Sequence, residues 1–434
     1  MMSKNKPIRH LLYIGQLFFM LSILLGISKS SYAQISLRCE NYIYDSSIKT
    51  VELKQPSGDP LTIINLNSED VLRMDFDQLG MNNVYYQYSF IFCDANWNPY
   101  TNYDFNAYAQ GLQYTNVDNW KFSQNTFQKY VHYTFDFPSN NFKFLWAGNY
   151  ILKVSRNDNA DVPSITRRFM VCNQKVSYTA TIKPATDVKY RNSKQEIDVL
   201  VDNLGYNMPN PYADAKMVIT QNNRWDNAIS EMKPRFISGN KLDYNFEDIN
   251  LFNGGSEFRM FDIRTLRAYS QNVARKYFDT VYHCLLNVDE SRAALQYLYM
   301  IDFNGRRSIA NNEGVANDPD YSVVHFALSS VDPYKQDIYI YGELTDWQMK
   351  PEFKMHYNKN LFRYECKAKL KQGVYNYMYV AQDPVTTVAD ETLIEGNHME
   401  SENNYTVYFY YKNLIYNYDE LIGAQTFSST NSGR

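Results

Sequence analysis

Residues 84–92 read VYYQYSFIF, and this short stretch decides the fold class of the chain. Aromatic side chains occupy every second position from Tyr86 to Phe92, with the polar residues Gln87 and Ser89 between them. Successive side chains of a strand point to opposite faces of the sheet, so this period of two predicts a half-buried β-strand. We therefore expect a protein built from strands.

The same pattern recurs at residues 375–379 and 408–410, and the composition agrees with it. The 434 residues include 39 Tyr and 25 Phe but only 17 Gly. Aromatic residues are well accommodated on pleated sheets. No amphipathic helix longer than about three turns is evident. The predicted fold class is all-β, with tandem immunoglobulin-like β-sandwich domains after a cleaved signal peptide.

A weak internal repeat supports the sandwich prediction. Gly148-Asn149-Tyr150 and Gly373-Val374-Tyr375 each open an alternating strand, and each is followed by another strand. In immunoglobulin-like sandwiches, a Tyr near the start of the penultimate strand hydrogen-bonds back to the corner before it. The repeat therefore predicts two such sandwiches.

The N-terminal residues 1–33 have the features of an export signal. Lys4, Lys6 and Arg9 precede an apolar run at 11–27, and small residues precede Gln34. This arrangement predicts a secretory signal peptide that is cleaved after Ala33. The alternative is an uncleaved membrane anchor, since the apolar run is close to the minimum of about 17 residues for a spanning helix.

Charge limits the partners of the mature chain. The leader holds four of the 43 basic residues and none of the 47 acidic residues, so 39 basic residues remain against 47 acidic ones, a net charge of −8. A surface of this sign has no long-range attraction for nucleic acid. No later stretch is long enough and apolar enough for a second membrane span. We expect the mature protein to be water-soluble.

Lapses in strand pattern give the predicted domain boundaries. Polar, apolar-poor loops separate an N-terminal β-sandwich domain, a middle β domain and a C-terminal sandwich, and the last residues are a polar tail that should be disordered. The predicted segments are a signal peptide at 1–33, the three domains at 34–173, 174–319 and 320–423, and the tail at 424–434.

Motifs for catalysis are absent from the sequence. It has no Gly-x-Ser-x-Gly elbow, no His-Glu-x-x-His pair and no phosphate-binding loop. His132 and His283 lie inside strand-like runs, where a structural imidazole is the usual role. Five cysteines show no Cys-x-x-Cys spacing that would support a zinc site. We expect neither an enzyme nor a cofactor-binding or metal-binding protein.

The C-terminal segment suggests one alternative function. Residues 338–347, which end at Trp347, resemble the glycan-binding early-set sandwiches attached to amylase-like enzymes. An exposed Trp ring can stack on the apolar face of a sugar. The competing interpretation is that Trp347 anchors the core. A glycan-binding envelope protein is therefore the alternative function, and an outer-membrane barrel is a further one, although Lys or Arg interrupts most of the strands.

Short motifs along the whole mature chain resemble one known family, the type IX secretion system plug proteins. In chain order the motifs are FCDANW (92–97), SQNT (123–126), TRRFMV (166–171), QNNRWDN (221–227), GGSEFRMFD (254–262), DFNG (302–305), G-x-L-x-x-W (342–347), LKQG (370–373) and DELIG (419–423).

The resemblance implies a function. Proteins of this family are periplasmic subunits that dock on the large outer-membrane translocon barrel and close its periplasmic opening. The chain would then sit on the inner side of the outer membrane, monomeric within the complex, without cofactor. Motif residues with a possible interface role, or a structural role as turn and core anchors, are Trp97, Asn125, Trp225, Glu257, Arg259 and Trp347.

Overall fold

The structure is a computed structural model that describes residues 36–314 and 316–431. Strands dominate it, and the helices are short, so the all-β prediction is confirmed. The predicted signal peptide lies outside the described residues. Among the described residues, no helix has the length and apolar character needed to cross a bilayer.

The first module, residues 38–173, is a two-sheet sandwich. Its strands are β1 (Tyr42–Ile43), β2 (Ile48–Lys54), β3 (Ile63–Asn65), β4 (Leu72–Leu79), β5 (Tyr86–Cys93), β6 (Ala109–Gln110), β7 (Thr115–Asn116), β8 (Trp120–Phe122), β9 (Tyr130–Phe137), β10 (Lys143–Phe144), β11 (Gly148–Arg156) and β12 (Asn159–Cys172), with the helix α1 (Phe105–Tyr108). One sheet has the order β1-β12-β11-β5-β7, with β3 also paired to β12, and the other has the order β2-β4-β9-β8. Strands β6 and β10 form a separate ribbon.

The second module begins after residue 173. Its first strands are β13 (Ser177–Pro184), β14 (Lys194–Asp202), β15 (Ala215–Gln221), β16 (Ile229–Met232), β17 (Phe236–Ser238), β18 (Lys241–Asp243) and β19 (Leu251–Asn253), with a 3-10 turn at Val188–Tyr190 and the helix α2 (Pro211–Asp214). Strands β13, β14, β18 and β17 form one sheet in that order, and β19 also pairs with β14. The second sheet contains β15 and β16 and is completed by two strands from the C-terminal end of the described chain.

The third module, residues 254–402, comes next in the chain. Its strands are β20 (Arg259–Asp262), β21 (Val273–Phe278), β22 (Tyr282–Leu286), β23 (Arg307–Ile309), β24 (Tyr321–Ser329), β25 (Asp337–Tyr341), β26 (His356–Asn358), β27 (Arg363–Lys371), β28 (Gly373–Gln382) and β29 (Ala389–Asp390), with 3-10 turns at Glu343–Thr345 and Pro351–Phe353 and the helix α3 (Thr392–Glu395). One sheet has the order β21-β22-β24-β27-β26, and the other is organised around β28.

The last two strands, β30 (Asn404–Lys412) and β31 (Asp419–Ser428), return to the second module. They complete its second sheet in the order β16-β15-β30-β31. The third module is therefore inserted into the second, between β19 and β30. The predicted boundaries at 174–319 and 320–423 are corrected accordingly, because β20 to β23 pack with the third module and β30 with the second.

The predicted disordered tail at 424–434 also needs correction. Residues up to Ser428 belong to β31, which pairs with β30 from Asn404↔Ser428 to Lys412↔Asp419. A 3-10 turn follows at Ser429–Asn431. The polar composition suggested disorder, but the ladder with β30 supplies backbone hydrogen bonds that do not depend on side-chain polarity.

The predicted tyrosine corners are confirmed. The hydroxyl of Tyr150, in β11, donates to the carbonyl oxygen of Trp146 at 2.8 Å. The hydroxyl of Tyr375, in β28, donates to the carbonyl oxygen of Lys371 at 2.6 Å. Both bonds run from the start of a strand back to the corner before it, as the repeat predicted.

Each module has its own hydrophobic core, and a further apolar cluster joins the first two modules. Strand β30 contributes side chains to two of these clusters. Phe409 and Tyr411 face the core of the second module, whereas Tyr408 and Tyr410 face Met170 of the first. Both faces of β30 are thus buried, which explains an aromatic strand without an exposed side.

Candidate functional site

Two of the predicted motif residues, Trp97 and Trp225, meet where the first and second modules join. Their ring centroids lie 4.9 Å apart in an edge-to-face arrangement. The guanidinium of Arg168, in β12, lies 4.6 Å from the ring of Trp97, and Trp225 also stacks on Tyr408 at 5.2 Å. Trp97 is only 5% exposed. These residues hold two modules together, and a partner cannot reach the ring of Trp97.

Asn125 lies in the exposed turn between β8 and β9, with a positive φ of 55°. Its amide nitrogen donates to the carbonyl oxygen of Ala316 at 3.0 Å. The next backbone amides, those of Phe127 and Gln128, donate to the carboxylate of Asp320. The turn of the first module is therefore clamped by the third module, and the Asn125 motif serves the contact between modules.

Trp347 lies at the contact between the second and third modules. Arg224 of the second module places its guanidinium 4.6 Å from the Trp347 ring, and Tyr341 packs edge-on at 5.6 Å. A Cβ at Gly305 would lie 2.2 Å from the ring, so the backbone of Gly305 touches it. The ring is thus partly covered by protein, which favours a structural role over the stacking platform that a glycan needs.

Arg259 is the centre of a buried charged cluster in the third module. Its Nε lies 3.0 Å from a carboxylate oxygen of Glu395, and its Nη1 lies 2.9 Å from Asp289. Burial alone would lower the pKa of the Arg259 guanidinium, but the charges of Glu395 and Asp289 raise it above its usual range. Its Nη2 donates to the carbonyl oxygen of Glu290 at 2.7 Å.

Glu257 lies beside this cluster and is 3% exposed. Burial raises the pKa of its carboxyl to about 7, although hydrogen bonds from the Tyr297 hydroxyl and the Glu402 amide act in the opposite direction. Its carbonyl oxygen accepts a hydrogen bond from Arg292 at 2.8 Å. Glu257 and Arg259 thus both contact the long connection that follows β22.

That connection, residues 287–306, is here called the strap. It joins β22 to β23 without a strand of its own. Connections of such length inside compact domains are uncommon and are usually either functional or linker segments. Polar contacts hold it from the inside. Arg292 pairs with Glu395 at 2.6 Å, the Tyr297 hydroxyl donates to Glu257, and Asp302 accepts from the amide of Phe258.

The outer side of the strap is apolar. Five large apolar side chains within nine residues are exposed, namely Leu295 (59%), Leu298 (71%), Tyr299 (54%), Ile301 (74%) and Phe303 (45%). The polar side chains of the strap face the protein and its apolar side chains face solvent. A surface loop usually has the opposite arrangement. Exposed apolar patches of this kind mark interaction sites.

Sequence reasoning selected Glu257 and Arg259 but missed the strap itself. The stretch AALQYLYMIDF at 293–303 carries one charge and many large apolar residues, which reads as a core strand. The signal that was available is its lack of strict alternation. Only the packing shows that the apolar side chains lie outside.

Comparisons with known proteins agree with this architecture. Residues 48–173 match the model of the type 9 secretion system plug protein 1st domain. A hypothetical protein from Parabacteroides merdae ATCC 43184, with a crystal structure at 2.30 Å resolution, is 28% identical over 91% of this chain and 100% of its own, with a TM-score of 0.86.

Two other comparisons carry no weight. The serine-rich repeat protein Srr2 from Streptococcus agalactiae reaches a TM-score of only 0.13 at 8% identity, over 89% of this chain and 95% of its own. No curated protein sequence matches the chain at a significant level. The assignment of this chain to a family therefore depends on the match at 48–173.

Proposed function

We propose that this chain, whose residues 48–173 belong to the type IX secretion system plug protein family, binds the outer-membrane translocon barrel of that system and seals its periplasmic opening. The single observation that carries the proposal is the family match over the first module. Family membership supports an envelope location and association with components of this secretion system. The barrel as partner and the periplasm as location are our narrower proposals.

A plug must resist deformation. Buried ion pairs between the modules would give this chain the rigidity that a plug needs. Lys371 of the third module pairs with Asp77 of the first at 2.6 Å, and both side chains are almost fully buried. Arg167 of the first module pairs with Asp346 of the third at 3.1 Å. Breaking such a pair leaves an uncompensated buried charge. The three modules should therefore act as one rigid body.

The strap is the surface that we assign to barrel docking. It concentrates apolar side chains in one exposed segment, while the ion pairs of Arg292 with Glu395 and of Arg259 with Asp289 fix its position. A preorganised apolar contact with a polar surround suits an interface that must form and release. In this proposal the chain works by binding alone, without catalysis and without a cofactor.

The direct test uses the barrel purified with and without this chain. We expect the barrel to retain the wild-type chain, and barrels lacking it to pass small solutes faster in vesicles. A barrel that neither retains the chain nor leaks in its absence would refute the proposed function.

The docking surface is tested separately with charged substitutions. Leu298→Asp combined with Ile301→Asp should weaken retention about a hundredfold, since charges would be buried at the contact. The matched control is Val331→Asp combined with Val385→Asp, which changes two valines that are 78% and 86% exposed elsewhere in the third module. Equal retention of both double variants would move docking to another surface and leave the plug function standing.

A further inference from the structure

A basic cleft lies between the first and third modules, and none of the five exposed apolar residues of the strap lines it. Its volume is about 890 Å³, within the usual range of ligand-binding sites. The start of β2 forms one wall, and residues 348–353 and the end of β27 form the other. Apolar side chains such as Ile48 and Leu370 contribute to the lining.

Both walls contain strand edges. Strand β2 is the last strand of its sheet and pairs only with β4. Strand β26 pairs with β27 only at residues 363–365. Among the described residues, no other strand pairs with 367–370 on the side away from β24. An edge with free backbone donors and acceptors is a template for an added strand.

The charge of the cleft is opposite to that of the whole chain. Seven basic and three acidic side chains line it, although the chain carries a net charge of −4. Several of these basic groups are neutralised, for example Lys371 by Asp77. Lys49, Lys367 and Lys369 have no carboxylate within 4.0 Å in the part of the chain that the structure describes. The Lys369 ammonium donates a hydrogen bond to the side-chain oxygen of Gln128 at 2.7 Å. A neutral amide does not cancel its charge, so three uncompensated cationic groups face the cleft.

The spacing of two of these lysines defines the ligand further. Lys367 and Lys369 are exposed, whereas the residues on either side of Lys369, Ala368 and Leu370, are buried. Side chains two residues apart on a strand share a face and lie about 6.6 Å apart. An added strand would place its own alternate side chains opposite these two lysines.

We propose that this cleft binds an extended acidic peptide segment of a partner protein, which adds to the free edge of β27. Carboxylates at alternate positions of the segment face Lys367 and Lys369, and the residues between them are apolar and face the interior of the cleft. Main-chain hydrogen bonds give affinity, and the alternation gives specificity. The inference does not depend on the translocon as partner.

The test measures binding of three fluorescent seven-residue peptides to the full mature chain. The first alternates glutamate and valine, the second has the same composition in two blocks, and the third alternates lysine and valine. We expect the alternating acidic peptide to bind about tenfold more tightly than the block peptide. The basic peptide should not bind, and added salt should weaken the acidic complex.

The second part of the experiment measures peptide binding by a charge-reversal variant. Lys367→Glu combined with Lys369→Glu should lower affinity for the alternating acidic peptide at least about tenfold. The matched control, Lys335→Glu combined with Lys359→Glu, reverses two exposed lysines outside the cleft and should change affinity less than about twofold. Unfolding midpoints of both variants confirm that they fold.

Three outcomes overturn the inference. Equal binding of the alternating and block peptides would show general charge attraction without strand addition. Unchanged binding by the Lys367/Lys369 variant would show that these lysines only protect the strand edge from aggregation. Absence of binding to the wild-type chain would remove the site altogether, and none of these results would affect the retention assay with the barrel.

Discussion

At the scale of single residues, the buried pair of Lys371 and Asp77 shows how the modules are joined. The Lys371 ammonium lies 2.6 Å from Asp77, and the side chains are 5% and 1% exposed. Asp77 also accepts a hydrogen bond from Tyr321 at 2.6 Å. Two groups of the third module thus converge on one buried carboxylate of the first.

Replacing the lysine should remove one of the two cationic groups that face this carboxylate, the other being the His132 imidazole at 2.8 Å. We expect Lys371→Met to lower the free energy of unfolding by about 3 kcal/mol, because one member of a buried ion pair is lost. Urea unfolding followed by circular dichroism measures the change. Lys369→Met, two residues away and exposed, is the control and should cost less than about 0.5 kcal/mol. Equal effects of the two substitutions would show that the buried pair contributes nothing.

His132 in β9 should make stability depend on pH. Burial acts to lower the pKa of its imidazole, but hydrogen bonds with Asp75 and Asp77 prevail and raise it to about 8. A folded-state pKa above the unfolded value of about 6.5 stabilises the protein fully below that value, and this contribution is lost as pH rises through 8. The 1.5-unit difference corresponds to about 2 kcal/mol.

We therefore expect the midpoint temperature of unfolding to decrease as the pH rises from 6.5 to 8.5. His132→Gln should remove most of this pH dependence. Glu257, whose pKa is raised to about 7, makes stability depend on pH between its unfolded pKa and pH 7. Measurements above pH 7 therefore report mainly on His132. A slope that is unchanged in His132→Gln would assign the dependence to other groups.

At the scale of elements, the tyrosine corners link sequence and structure most directly. Tyr150 and Tyr375 occupy the same place in two sandwiches, and each hydroxyl bonds to the backbone carbonyl four residues earlier. Local spacing is enough to predict such a bond, because donor and acceptor belong to one turn and the strand after it. The sequence could therefore identify both.

Removing one corner hydroxyl should weaken the first module. Tyr150→Phe keeps the aromatic packing but leaves the Trp146 carbonyl without this donor, which should cost about 1 to 2 kcal/mol in thermal or urea unfolding. Tyr85→Phe is the control, since the Tyr85 side chain is 67% exposed. A loss in Tyr150→Phe no larger than that of the control would show that the corner bond is not stabilising.

At the scale of the whole molecule, the inserted third module changes what can fold alone. Its two sheets share a core that draws on residues from Phe261 to Ile394. The ends of the insertion lie close together, since the Asn403 amide donates to the carbonyl oxygen of Gly254 at 2.9 Å. An insertion with adjacent ends is typical of a domain placed in a surface loop of another.

This arrangement predicts that a fragment of residues 254–402 folds on its own. We expect it to give a cooperative thermal transition and dispersed amide signals in NMR. The matched control is a fragment of residues 320–423, which lacks β20 to β23 and carries β30 without its partner β15. The control should be unfolded or aggregated, and a folded 320–423 fragment would contradict the insertion.

The sequence by itself determined the strand content, the period-two aromatic strands and both tyrosine corners, because these depend on neighbours within a few residues. Only the tertiary structure decided that β30 and β31 return to the second module, that Asp77 meets Lys371, and that the apolar residues of the strap lie outside. Those features depend on contacts between residues up to about 300 positions apart, as for Asp77 and Lys371 at a separation of 294. Composition does not specify such contacts, since the same alternation suits a strand in any of several sheets.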